Sequence, residues 1–292
     1  MSDQSAISQN DRKPRGSVFP AFARSRPTRP GETYGVPGQG NTTWLSVATI
    51  VALIFIWWAI TAAGLVKPLF VPSPQSIVQK FIDVWFNGYT GAPLWQHILI
   101  STARVFGAFL LACVIGIPLG LAMGMSPIMR GIFDPPIEIY RPVPPLAYLP
   151  LMIIWFGIGE TSKVLLIFLS VFAPIALGAR AGVRSAAIEQ IHAAYSFGAT
   201  RWQVMHHIIL PSAMPEILTA MRIGIGFGWT TLVAAEMVAA TKGIGYMVLS
   251  ASQFLQTSTV IMGIFVIAAI AYAFDMLMRF LERRLVPWKG KM

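Results

Sequence analysis

Charged side chains that could take part in chemistry are few in this chain and lie within apolar sequence. Only 12% of its 292 residues are Asp, Glu, Lys or Arg, and 55% are hydrophobic. Glu138 and Arg141 stand three residues apart in a proline-rich apolar segment, a spacing that lets them pair on a helix. Such a pair could line a path for a small polar solute, or it could only stabilise a bent helix. Glu236, in another apolar run, could line the same path or face the surface.

Motifs for covalent catalysis and nucleotide binding are absent from the sequence. It has no Gly-x-x-x-x-Gly-Lys-Ser/Thr loop for nucleotide phosphates, no His-Glu-x-x-His zinc motif and no Gly-x-Ser-x-Gly turn. The single cysteine, Cys113, excludes an intramolecular disulfide and a cysteine-based metal site. We therefore expect no catalysis by this chain, no bound metal and no cofactor of its own.

The elements that must position these residues are membrane spans. The net charge of +10 could suggest nucleic acid, but the charges lie between long uncharged runs instead of clustering on one face. We therefore expect a lipid membrane as the surroundings and no nucleic acid as a partner. A helix of about 20 apolar residues crosses a bilayer. The sequence predicts an all-α polytopic membrane protein with six transmembrane helices, at about 44–66, 95–125, 131–159, 162–183, 213–238 and 258–280.

The segment before the first span and the distribution of basic residues predict the orientation. Residues 1–43 are rich in proline, glycine and arginine and are expected to form a disordered tail, whereas 44–288 form the transmembrane domain. If the N-terminus is inside, only four basic residues fall outside, namely Lys67, Lys80, Lys163 and Lys242. Because cytoplasmic loops carry the excess of Lys and Arg, both termini are predicted to be cytoplasmic.

The sequence also predicts local structure at several places near the ends of the spans. Residues 73–87 predict an amphipathic helix on the outer membrane surface, for anchoring there or for docking of a partner, and 243–255 predict a short re-entrant or outer segment before the last span. Arg104 lies near the outer interface, where we expect its side chain to extend toward the lipid headgroups. Asp275 and Arg279 stand four residues apart near the inner end of the last span, a spacing that predicts a helical ion pair.

The cytoplasmic segment 184–211 predicts two short helices. Gly198 can adopt the left-handed conformation of a helix end, and Thr200 with Gln203 predicts a capping box for the second helix. That second helix carries an apolar stripe of Trp202, Met205, Ile208 and Ile209. The stripe could pack against the chain's own span ends, or it could fit the groove of a soluble partner.

This segment resembles the EAA loop of ABC importer permeases. The pattern is Glu-Ala-Ala, three residues, Gly, nine residues, Ile, one residue and Leu-Pro, and the chain departs from it in having a histidine where the pattern has Glu. The corresponding positions are His192, Ala193, Ala194, Gly198, Ile208, Leu210 and Pro211. The resemblance implies that this loop couples the chain to an ATPase. Because histidine replaces the glutamate, a specific salt bridge from this position to the ATPase is in doubt. The docking of the loop itself is not.

Three further segments, 140–150, 155–163 and 231–236, are similar to the nitrate/sulfonate/taurine group of these permeases, and most of all to taurine permeases. The resemblance covers residues 44–288 and implies a type I ABC importer permease fold in the bacterial inner membrane. The implied partners are a second copy of the permease, a cytoplasmic ABC ATPase dimer that binds ATP and Mg, and a periplasmic solute-binding protein.

We therefore expect a permease subunit that moves taurine or a related aliphatic sulfonate. Nitrate, bicarbonate or another small organic solute is the alternative within the group. An ion-coupled secondary transporter is the alternative from another class, but the internal repeats and matched acidic residues typical of such transporters are absent. The prolines of 140–150 break the helix, and broken backbone within a membrane is tolerated where it lines a cavity. The candidate pathway residues are Glu138, Tyr140, Arg141, Tyr148 and Glu236.

Overall fold

The computed structural model of the chain describes residues 43–287. The expected disordered tail, 1–43, lies outside these residues except for its last position. The chain divides into two compact units, residues 1–63 and 64–292. In the first unit the described element is α1, Thr43–Ala62, a helix of 20 residues without a charge.

The second unit is built from helices of very different length. In chain order they are α2 (Pro74–Phe86), α3 (Leu94–Met125), α4 (Pro127–Tyr140), a 3-10 turn (Pro145–Tyr148), α5 (Leu149–Phe156), α6 (Glu160–Val183), α7 (Ile188–Ser196), α8 (Arg201–Val204), a π-helical turn (Met205–Ile209), α9 (Leu210–Ala239), α10 (Ile244–Gln253) and α11 (Thr257–Leu285). As predicted, the long uncharged run after residue 242 is divided into two helices, α10 and α11.

Five helices within residues 43–287 are long and apolar enough to cross a membrane. They are α1, α3, α6, α11 and the continuous 39-residue run Arg201–Ala239, which comprises α8, the π-helical turn and α9. The segment 131–159, predicted as a sixth span, is not one continuous helix, and its crossing of the membrane stays a prediction. Proline lacks the backbone N–H and its ring clashes with the preceding helical turn, so the closely spaced prolines that follow Tyr140 end α4. The 3-10 turn and the eight-residue α5 follow α4 within this segment.

The core of the second unit lies where α3, α6 and α9 pack against one another. Small residues allow this close approach: a Cβ at Gly120 of α3 would overlap the carbonyl oxygen of Ala176 on α6. A Cβ at Gly178 would likewise overlap the Cβ of Ala220 on α9. Branched and aromatic side chains fill the remaining space, among them Val105, Phe109, Ile167, Val171, Ile175, Trp229 and Leu232. The three helices therefore provide a tightly packed frame for the polar residues that they carry.

The amphipathic helix predicted over 73–87 is confirmed as α2. The Ser73 hydroxyl accepts a hydrogen bond from the Ser76 N–H, and Pro74 occupies the first turn, where its missing N–H costs nothing. Val84 is fully buried, and the apolar face of α2 packs against α11. The position of α2 on the outer membrane surface stays a prediction.

Candidate translocation cavity and coupling segment

Residues 184–211 fold as two short helices joined by a tight turn, as the sequence predicts. Gly198 has φ of +82°, a conformation that L side chains rarely adopt, and it directly follows α7. The Thr200 Oγ1 accepts a hydrogen bond from the Gln203 N–H at 3.3 Å, and the Thr200 N–H donates to the Gln203 Oε1 at 2.8 Å. The glycine turn and the capping box are therefore confirmed, and together they set the angle between α7 and α8.

The outer surface of this segment exposes large apolar side chains. Phe197 at the turn is 92% exposed and Trp202 on α8 is 67% exposed, while Ile188 and Tyr195 of α7 are also exposed. On the opposite side Val204 and Ile209 are buried. The predicted apolar stripe is thus divided, because Ile209 packs inward and Trp202 points away from the protein. A cluster of exposed aromatic side chains typically marks an interaction surface.

The positions that match the EAA pattern lie at different depths in the segment. His192, Ala193 and Gly198 are exposed, whereas Ala194, Ile208, Leu210 and Pro211 are half-buried. The half-buried residues at the end of the pattern belong to the run Arg201–Ala239. The segment 184–211 therefore continues without a break into α9. Any displacement of α8 therefore acts directly on α9.

A cavity of about 500 Å³ lies between the proline-rich segment 140–148, α6 and α9. Its lining includes Tyr140, Arg141 and Tyr148 from the segment, Leu169, Ser170 and Pro174 from α6, and Glu216, Thr219, Ile223 and Phe227 from α9. The Tyr148 hydroxyl donates to the Tyr140 carbonyl oxygen at 3.2 Å, and the Tyr140 hydroxyl donates to the Leu169 carbonyl oxygen at 3.4 Å. These hydrogen bonds hold the broken segment against α6. The structure thus brings three of the five candidate pathway residues into one wall.

Glu138 and Arg141 form the ion pair that their spacing predicts, with 3.6 Å between the carboxylate and the guanidinium. Neither side chain is buried within the described chain, since the Glu138 side chain is 47% exposed and the Arg141 side chain 57%. Glu138 does not line the cavity, and it also lies 3.6 Å from Arg180 of α6, which pairs with Asp134 of α4. Two cations therefore share Glu138, which leaves the Arg141 guanidinium loosely held at the cavity wall.

Glu216 lines the same cavity, and the sequence pattern did not single it out. Its side chain is exposed, and no Lys or Arg within residues 43–287 lies at ion-pair distance from it. Positions 216, 219, 223 and 227 repeat at helical spacing and so share one face of α9. A carboxylate on a face that otherwise carries apolar residues and a threonine is the signal that could have identified Glu216.

A second cluster of charges lies at the opposite end of α9 from the coupling segment. The Arg104 guanidinium on α3 donates to both Glu160 oxygens at 2.6 Å and to Glu236 Oε1 at 2.7 Å. The Lys163 ammonium donates to Glu160 at 2.8 Å. Arg104 and Lys163 are buried, and Glu236 is fully buried. Two cations and two carboxylates therefore balance one another across α3, α6 and α9.

This cluster corrects two expectations. Arg104 does not extend toward lipid headgroups, because its guanidinium is committed to two carboxylates and a backbone oxygen inside the protein. Glu236 neither faces the surface nor lines the cavity. Sequence inspection could not find these pairs, because Arg104 lies 56 residues from Glu160 and 132 residues from Glu236.

The same cluster holds the connection between α9 and α10. The Gly245 N–H donates to Glu236 Oε2 at 2.9 Å, and the Ser101 hydroxyl, which donates to Glu236, accepts from the Ile244 N–H at 2.9 Å. Gly243 has φ of +132°, and a Cβ there would overlap the Glu236 carboxylate. The loop can approach the buried carboxylate this closely only because it contains glycine.

The predicted pair between Asp275 and Arg279 is confirmed, with 2.7 Å between the carboxylate and Nε. Asp275 also accepts from Arg222 of α9 at 2.8 Å, which the spacing along α11 alone could not reveal. The pair therefore also connects α9 to α11.

Long apolar helices, a cavity with a partly charged wall and the exposed apolar side chains of 184–211 are the features expected of a membrane transport protein. The family model for the binding-protein-dependent transport system inner membrane component matches residues 116–287. The taurine transport system permease protein TauC of Escherichia coli is 54% identical over 248 residues, which cover 85% of this chain and 90% of that protein. The putative aliphatic sulfonates transport permease protein SsuC of Bacillus subtilis is 35% identical over 87% of this chain and 91% of its own length.

Comparison of structures agrees with these relatives. The fold is similar to a chain of the MetNI methionine ABC transporter in an inward-facing conformation, with a TM-score of 0.57 and 17% identity over 66% of this chain and 97% of that chain. The chain therefore belongs to the family of binding-protein-dependent transport system inner membrane components. It is the permease of an ABC importer, a multi-pass inner membrane protein that works with an ATPase and a binding protein and is not itself an enzyme. The resemblance of the chain to this family is confirmed, whereas the coupling role of the EAA-like segment stays a prediction.

Proposed function

We propose that this chain moves taurine, or a closely related aliphatic sulfonate, across the bacterial inner membrane. The observation that carries the proposal is the 54% identity with a permease named for taurine, which extends over 85% of this chain. The identity with a permease named for aliphatic sulfonates is 35% over a similar length. The difference favours taurine within the sulfonate class.

The transporter contains two copies of this chain, a cytoplasmic ATPase dimer that binds ATP and Mg, and a periplasmic binding protein, all assembled around the lipid bilayer. Residues 44–288 form the permease domain, which has a type I importer fold, and the predicted tail before them lies outside the described residues except for its last position. The asymmetry of Lys and Arg supports cytoplasmic positions for both termini. The absence of a phosphate-binding loop from the sequence supports the assignment of ATP hydrolysis to the partner.

The EAA-like segment docks on the ATPase. Phe197 and Trp202 supply a large apolar area at one end of the segment, and aromatic anchors of this kind dominate binding energies at interfaces. The positions from His192 to Pro211 that match the pattern set the shape of this surface. His192 is exposed on α7 and is available for contact with the ATPase, although it lacks the negative charge of the usual glutamate.

The cavity between the 140–148 segment, α6 and α9 belongs to the translocation pathway. Tyr140, Arg141 and Tyr148 form its proline-rich wall, and Glu138 holds Arg141 from outside the cavity. Glu236 has a structural role instead, because its buried ion pair with Arg104 ties α9 to α3. A pathway of this kind must bind its solute weakly, since a tightly bound solute would not leave.

Uptake in cells that lack this gene tests the proposed function. Cells carrying the restored gene are expected to accumulate labelled taurine, and cells carrying an empty plasmid are not. Labelled nitrate, supplied in parallel, should show no difference between the two strains. Nitrate uptake that depends on the gene, without taurine uptake, would overturn the assignment to sulfonates while leaving the chain in its family.

A further inference from the structure

The cavity between the 140–148 segment, α6 and α9 has two opposite charges in its wall. Arg141 of the segment and Glu216 of α9 are the charged residues among those that line it, and the other lining residues are uncharged. The two side chains do not pair with each other. Arg141 contacts Glu138 at 3.6 Å, and Glu216 has no Lys or Arg at ion-pair distance within residues 43–287. A cation held only by a long ion pair and a carboxylate without an ion-pair partner in the described part of the chain therefore face one space.

The hydroxyl groups in the wall do not compete with these charges. The Ser170 hydroxyl donates to the Ile167 carbonyl oxygen at 2.7 Å, and the Thr219 hydroxyl donates to the Pro215 carbonyl oxygen at 2.8 Å. Their protons are thus directed to their own helices. The strongest available groups in the cavity are the Arg141 donors and the Glu216 acceptors, and charge-assisted hydrogen bonds are about twice as strong as neutral ones.

This arrangement complements a small zwitterion. A guanidinium presents a planar set of donors that fits the oxygens of an anionic group such as a sulfonate. A carboxylate accepts hydrogen bonds from an ammonium. The volume of about 500 Å³ lies within the usual range of ligand cavities, so a short amino-sulfonate fits with water around it.

We infer that Glu216 determines specificity by accepting hydrogen bonds from the ammonium group of an amino-sulfonate while Arg141 binds its sulfonate. The inference rests on the proposed function, which supplies the sulfonate. A simple alkanesulfonate would satisfy Arg141 but would place a methyl group beside the Glu216 carboxylate. Displacing water from a carboxylate without replacing its hydrogen bonds is unfavourable. The pathway itself therefore favours taurine over an alkanesulfonate of the same length.

The test uses two substrates of the same shape. Taurine and 1-propanesulfonate have the same chain length, and a methyl group in the second replaces the ammonium of the first. Cells that lack the gene but retain its native partners receive wild-type chain, Glu216→Gln, Glu216→Asp, Arg141→Gln or the control Asp83→Asn. Asp83 is an exposed residue of α2 that does not line the cavity. Uptake of each labelled sulfonate is normalised to the amount of chain in the membrane.

The expected results separate the two ends of the solute. Glu216→Gln keeps the shape but loses the charge, so it should lower taurine uptake about tenfold, the change that corresponds to one charge-assisted hydrogen bond. Glu216→Asp keeps the charge and should retain at least half of the taurine uptake. Uptake of 1-propanesulfonate should change less than about twofold in Glu216→Gln. Arg141→Gln should lower the uptake of both sulfonates, and Asp83→Asn should lower neither.

Four results would overturn the inference. Unchanged taurine uptake in Glu216→Gln would show that the carboxylate does not contact the solute. An equal loss in Glu216→Asp and Glu216→Gln, or an equal loss of both sulfonates in Glu216→Gln, would show that the residue acts through shape or folding. If wild-type cells take up no taurine, the proposed function fails first, and the inference fails with it.

Discussion

Replacing Glu236 with glutamine should destabilise the permease far more than its single lost charge would on a surface. The Glu236 carboxylate is fully buried and receives hydrogen bonds from Arg104 at 2.7 Å, from Ser101 at 2.7 Å and from Gly245 at 2.9 Å. Glutamine has the same shape, but its amide group offers one oxygen and two N–H donors. At least one of the three surrounding donors would then face another donor. Arg104 and Lys163 would retain only Glu160 as a balancing carboxylate.

The size of the effect follows from burial. Breaking a buried ion pair by removing one partner costs about 3–5 kcal/mol, because the other charge stays in a poorly solvating environment. Arg104 keeps Glu160, so the loss should lie at the lower end, near 3 kcal/mol. Proteins are typically stable by only about 5–15 kcal/mol, so this is a large fraction of the total. The double variant Arg104→Met with Glu236→Gln should lose less than the sum of the two single variants, since neither charge is then left alone.

Denaturant titration of the purified permease in detergent measures the free energy of unfolding of each variant. The matched control is Asp83→Asn, which removes a carboxylate 2.8 Å from Lys80, close to the 2.7 Å between Glu236 and Arg104, but with a side chain that is 45% exposed. Surface pairs contribute little, so this variant should unfold almost as the wild type does. Equal stability of Glu236→Gln and Asp83→Asn would refute the reasoning from burial. Strict additivity of Arg104→Met and Glu236→Gln would show that the two residues do not act as a pair.

Three further outcomes are expected. Gly198→Asp should abolish uptake while leaving the amount of chain in the membrane unchanged, because φ of +82° strains any side chain and the charge enters the proposed ATPase contact; normal uptake with normal co-purification of the ATPase would contradict this. Deletion of residues 2–40 should leave uptake within about a factor of two, since the helices that form the cavity and the coupling segment all follow Thr43; loss of uptake with normal membrane levels would show an unrecognised role. Gly243→Ala should reduce the amount of folded chain, because its methyl group would overlap the Glu236 carboxylate. A thermal melting profile equal to that of the wild type would exclude this clash.

Local rules predicted the coupling segment well. The positive φ at Gly198 and the reciprocal hydrogen bonds of Thr200 and Gln203 depend only on residues a few positions apart, so their sequence spacing is sufficient. The pairing of Asp275 with Arg279 is local in the same sense. These features could be predicted because the backbone geometry of one or two helical turns determines them.

Features that depend on packing between distant helices could not be predicted in this way. Arg104 was placed at the outer membrane interface because no carboxylate partner lies near it in sequence. Its partners Glu160 and Glu236 meet it only when α3, α6 and α9 pack together. Glu216 was overlooked because only the approach of the 140–148 segment turns its helix face into a cavity wall. The segment 131–159 was predicted as a span from its hydropathy and as a broken helix from its prolines, and the structure has this break, with α4 ending at Tyr140.

The unbroken run Arg201–Ala239 has a mechanical consequence. With a rise of about 1.5 Å per residue, its 39 residues extend for nearly 60 Å. One helical run, which includes the π-helical turn and Pro215, thus carries Trp202 at one end, Glu216 in the cavity and Glu236 at the other end. A tilt of about 5° about one end would displace the far end by roughly 5 Å over that length. If the pivot lies near the middle, the two ends swing in opposite directions, so that a pathway opening at one mouth narrows at the other by leverage alone.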